Sequence, residues 1–126
     1  MPHKKEHPEN LQFNQEAFEH AKKLIRQGKI NIMLDAWITN QPTPDGENQY
    51  LTDHNFNEYG NWFLATQDGT GTNTKEHYKF PIGNFKEIFR SGLIAAKKRA
   101  AEFKHYEIEQ AASELLDIMD QGAGEA

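Results

Sequence analysis

Cysteine is absent from this chain of 126 residues. Disulfides, thiolate metal sites and a cysteine nucleophile are thereby excluded together, and a reducing compartment suits such a sequence. Long apolar runs are missing as well. The longest has four residues, far short of the roughly 20 that span a bilayer, and the opening Met1-Pro2-His3-Lys4-Lys5-Glu6-His7-Pro8-Glu9 lacks the apolar centre of a secretion signal. The expectation is a cytoplasmic protein that neither crosses nor lies in a membrane. Nor is there an excess of base: the net charge of −5 argues against a general affinity for nucleic acid, although the distribution of charge matters more than its sum.

No reaction motif is present either. There is no nucleophile elbow, phosphate loop, paired-histidine zinc helix or EF-hand, and Asp68-Gly69-Thr70-Gly71-Thr72 has no later carboxylate at calcium-loop spacing. These residues read as a turn. No catalytic residue, metal ligand or cofactor is assigned.

What the chain does have is aromatic bulk, with fourteen Phe, Tyr and Trp residues against a hydrophobic fraction of only 37%. Large rings bury enough area to hold a core that the aliphatic residues alone would leave thin. The length fits one domain: a flexible arm over residues 1–10, an α+β unit over 11–120 and a flexible tail over 121–126.

Helical signals are clearest at both ends. Asn14 is an N-cap, Phe13 and Phe18 are placed for a hydrophobic staple, Ala17, Phe18, Ala21, Leu24 and Ile25 form a stripe, and Gly28 ends the helix. Further on, Asn84 and Glu87 have capping-box spacing. Phe85, Ile88, Phe89, Leu93, Ala96, Ala100 and Phe103 follow as an inward stripe, predicting a helix over 84–104. A second helix is predicted from about Tyr106 to Asp120, with Ile108, Ala111, Ala112, Leu115, Leu116 and Met119 on one face. The turn at Lys104-His105 is short enough to make the two a helical hairpin.

Between these ends the pattern is extended. Ile30, Ile32 and Leu34 alternate as in a short strand, Thr39 to Gly46 reads as a loop, and Glu47 to Asp53 as a helical turn or two. Asn61 to Thr66 and His77 to Ile82 are strand-like, flanking the turn at Asp68 to Asn73. The predicted fold is α+β: a C-terminal helical hairpin and an N-terminal helix packed with a small antiparallel sheet or β-hairpin.

Charge is segregated along the chain. Residues 35–76 hold seven acids and one Lys, and residues 107–125 six acids and no base, whereas the helices at 14–29 and 84–104 are basic. Side by side, Lys22, Lys23, Arg26, Arg90, Lys97, Lys98 and Arg99 would make a patch for phosphates or an acidic partner. The competing reading is internal, the basic helices complementing this protein's own acidic segments. Trp37, Trp62 and Tyr59 read as core or rim before they read as a stacking platform.

Among six histidines, His3 and His7 lie in the arm, His20 on a helix and His105 at a turn. His54 and His77 stand among polar residues and aromatics. With Asp35, Asp53 and Glu58 they would supply the groups of an acid-base site, though no spacing demands one.

Three segments also carry a likeness. Gly60-Asn61-Trp62-Phe63-Leu64, His77 through Phe85 and Arg90 through Ala100 resemble small uncharacterised bacterial proteins and stretches of phage-related proteins, where Lys-Phe-Pro and a Gly precede an Ala-rich helix ending near Arg-Ala. The resemblance covers roughly residues 58–117. It implies a compact unit in which Lys79, Phe80 and Pro81 lead into the basic helix, and a phage or mobile-element origin; it transfers no catalytic residue.

The function expected from these readings is non-catalytic binding or assembly, with a protein partner met through amphipathic and basic helix faces. Two alternatives stand beside it: nucleic-acid binding through the basic patch, and a small hydrolase using His54, His77 and nearby carboxylates.

Overall fold

Asn14 fixes the entry to the fold. In the computed structural model, which describes residues 10–125, a short strand β1 (Leu11–Phe13) leads into helix α1 (Gln15–Arg26). The Asn14 side-chain oxygen accepts from the Ala17 amide at 3.4 Å, and its amide group donates to the carbonyls of Gly60 and Phe63, each at 2.9 Å. Phe13 meets Phe18 edge-on at 5.9 Å, the expected staple. At the far end Gly28 adopts φ +79°, and the Gly28 and Lys29 amides return to the Ile25 and Leu24 carbonyls. A residue without Cβ takes that left-handed position at least cost.

The strand predicted from Ile30 to Leu34 shrinks to β2 (Ile30–Asn31). Asn31 ends it, because its side-chain oxygen accepts the Met33 amide at 2.9 Å and folds the chain back. Helix α2 (Ala36–Asn40) forms ahead of the loop expected from Thr39 and runs into its first two residues, and α3 (Pro44–Asp53) starts three residues before the predicted turn of helix. Pro44 is pre-set for a first helical position, and the Thr43 hydroxyl accepts from Gly46 at 3.1 Å. Helix α4 (Phe56–Gly60) carries a complete capping box between Asn55 and Glu58.

Strand β3 (Phe63–Gln67) is the centre of the antiparallel sheet, ordered β1-β3-β4 with β4 (Tyr78–Pro81), and its first three residues are buried. Leu11 lies opposite Gln67, and Tyr78 opposite Thr66. A separate parallel pair joins β2 to β5 (Ile88–Phe89).

Strand β5 displaces the predicted helix start. Residues 84–89 are not helical, and α5 runs Arg90–Glu102. The Asn84 side-chain oxygen accepts from the Lys86 and Glu87 amides at 3.1 and 3.0 Å, but Phe85 has φ +70°, which no helix allows. That conformation turns the Phe85 ring into a cluster with Tyr50 at 4.5 Å, Tyr59 at 5.6 Å and Trp62 at 5.9 Å. Ile88 then donates to the Lys29 carbonyl and Phe89 to that of Ile82. The ring cluster and the β pairing together outweigh one capping box.

Helix α6 (Tyr106–Glu125) completes the hairpin with α5, continuing past the predicted end at Asp120. Leu93, Ala96 and Ala100 bury against the core with Ile108, Ala112, Leu115 and Met119, as their spacing predicts, while Phe103 stays 39% exposed. Helix α6 packs against α1 as well as α5. Residues 1–9 of the expected arm, with His3 and His7, and Ala126 of the expected tail lie outside the described residues.

Candidate functional site

Asn31 and Trp37 between them build the most conspicuous surface of the molecule. Beyond the Asn31 turn the Ala36 amide closes onto the Met33 carbonyl at 3.4 Å, and Asp35 adopts a left-handed φ of 62°. The Trp37 amide donates to the Ser91 hydroxyl at 3.0 Å, and its ring packs on Phe89 at 5.5 Å. Gly92 leaves room for that ring, since a Cβ there would stand 2.9 Å from it. Anchored this way, the segment points its other large side chains outward. Ile32, Met33, Leu34 and Ile38 are 55, 67, 85 and 72% exposed. Four large apolar groups within seven residues form a ridge held by hydrogen bonds rather than a loose loop.

The cations selected from sequence fall into separate environments. Lys22 pairs with Glu19 at 3.4 Å and lies over the Phe18 ring. Arg90 grips the Asp120 carboxylate with two bonds, at 2.9 and 3.1 Å, and this contact holds the Asp120 carboxyl below its ordinary range and raises Arg90. Lys23, Arg26, Lys97 and Lys98 enter no ion pair among the described residues. Arg99 lies over Phe103 at 5.2 Å. Acidic α6 packs against both basic helices, and through Asp120 it neutralises part of the charge itself.

The two loop histidines occupy distinct local networks. His54 stacks on Tyr50 at 3.8 Å and bonds its carbonyl through Nδ1 at 2.9 Å. His77 meets the Thr70 hydroxyl at 3.0 Å; because that hydroxyl already donates to the Gln67 carbonyl, Nδ1 of His77 is the donor. No hydrogen bond or ring contact joins the two histidines. Asp35 lies on the ridge, Asp53 at the end of α3, and Glu58 is engaged in the Asn55 capping box. No group of three or more His, Asp or Glu is placed to hold a metal ion, and no polar or charged residue is buried, among the described residues.

Sequence reasoning missed the ridge because Ile32 and Leu34 alternate as a half-buried strand would. The available signal was Asn31 followed by Asp35, two residues suited to reversing a chain within five positions.

Comparison with protein-family models, curated proteins and solved structures finds no match, so nothing there bears on the resemblance to phage-related proteins. Among the described residues no helix is long and apolar enough to cross a membrane.

Proposed function

We propose that this protein is a non-catalytic binding or assembly domain whose partner is another protein, met chiefly through the ridge of Ile32, Met33, Leu34 and Ile38. The observation that carries this reading is the exposure of those four side chains on a segment whose backbone is fixed by Asn31, Trp37 and Ser91. Apolar side chains gathered like this gain from being covered, by about 25 cal/mol for each Å² removed from water. A pre-organised surface also loses little conformational freedom when it binds.

The test is site-specific photo-crosslinking in the cell of origin, with the probe at Leu34 and a control probe at Glu102. A discrete adduct at Leu34 that disappears in an Ile38→Lys background supports the reading. Adducts equal at both positions, or none at Leu34 with the fold intact, overturn it. Sedimentation of the purified chain then separates self-assembly from a different partner.

A further inference from the structure

At the opposite end of α5 from the ridge, about 20 Å along a 13-residue helix, lies a cavity of about 140 Å³. Phe80, Pro81 and Phe103 give it apolar walls, and Lys79, Arg99 and His105 line it beside them. Neither Lys79 nor Arg99 forms an ion pair among the described residues. Arg99 is exposed and Lys79 half-buried, so both are open to an anionic group from outside the chain.

The walls are held at a cost. Phe80 adopts φ +64° within a strand, a conformation that costs an L residue more than the extended one. It turns the ring edge-on to His105, with centroids 6.1 Å apart at 87°. His105 is itself set by its amide bond to the Ala100 carbonyl at 2.8 Å. Burial lowers the pKa of its imidazole, which favours the uncharged ring. Phe103 stays partly open to solvent, with the Arg99 guanidinium over its face.

We propose that this cavity binds a small organic monocarboxylate whose apolar body is about the size of one ring. The carboxylate is held by Lys79 and Arg99, and the body lies against Phe80 and Phe103. Size and chemistry agree on this class. An apolar cavity of about 150 Å³ accommodates benzene, and a guanidinium and an ammonium lining one cavity suit a carboxylate. An inorganic anion would leave the aromatic walls unused, and a neutral ring would leave both cations unpaired.

Amide chemical shifts of the full chain, followed during titration with benzoate, benzamide and inorganic phosphate, test the proposal. Saturable shifts clustered on residues 79–81 and 99–105 are expected with benzoate, at a dissociation constant of about a millimolar or below. Benzamide should bind at least about tenfold more weakly. Arg99→Gln and Lys79→Gln should each weaken benzoate by about tenfold or more, without moving shifts in the α5–α6 core. Shifts scattered over the surface, equal binding of benzamide, or phosphate binding as tightly as benzoate would overturn it.

Discussion

Gly83 and His20 show how tightly single residues are fitted. A Cβ at Gly83 would lie 2.5 Å from the Trp62 ring and 2.6 Å from the Glu87 carbonyl oxygen, and the backbone oxygen has no rotamer by which to retreat. Gly83→Ala should therefore destabilise the fold by about 1–3 kcal/mol, as overpacked sites do, read as a lower urea midpoint. His20 sits edge-on to Trp62 at 5.2 Å with its Nε2 buried and unpaired. Burial first, and Lys23 second, lower its pKa from the ordinary 6.5. The unfolded chain thus takes up the proton before the folded one. This contribution is whole above pH 6.5 and is lost as pH falls toward the lowered folded value. His20→Phe keeps the ring contact and removes the titration. The difference in urea midpoint between about pH 7.5 and pH 5.5 should shrink in that variant. It should not vanish, since His105 is shifted in the same direction.

At the scale of elements, two tetrapeptides make an instructive pair. Asn55-Phe56-Asn57-Glu58 and Asn84-Phe85-Lys86-Glu87 share the same Asn-Phe-x-Glu pattern, yet the first caps α4 and the second becomes a turn before β5. Local chemistry is alike in both. What separates them is the destination of the phenylalanine ring and of the two residues after Glu87: Phe89 turns back to Ile82, and Ile88 pairs with Lys29 from a distant part of the chain. No window of sequence contains that information. Where tertiary contact and local period agree, the reading is sound: the stripes on α1 and α6 and the later part of α5 were legible from spacing alone. Leu93 and Leu115 are fully buried within those stripes, and Leu→Ala at either should cost about 2–5 kcal/mol in chemical unfolding. The ridge was illegible for the opposite reason. Its alternating apolar residues mimic a strand, while two hydrogen-bonding side chains, Asn31 and Ser91, decide that it is none.

For the molecule as a whole, the net charge of −5 is organised around α6. That helix packs on both of the helices readable as basic from sequence, and through Asp120 it takes up the charge of Arg90. The candidate surfaces stand apart: an apolar ridge, with Asp35 on it, near the start of α5 and a small cavity lined by Lys79 and Arg99 at its end. Leu34→Lys combined with Ile38→Lys should leave thermal stability nearly unchanged, within about 0.5 kcal/mol, because neither side chain supports the core. Loss of the partner adduct in a variant that melts normally would separate recognition from folding.

The meeting of α1 with α6 has a bearing on the birth of the chain. During synthesis α1 emerges well before α6, so part of the surface that covers its apolar stripe is made long after it. Until then the part of that stripe which α6 covers faces water, and closing the core on that side awaits α6 rather than growing steadily from α1.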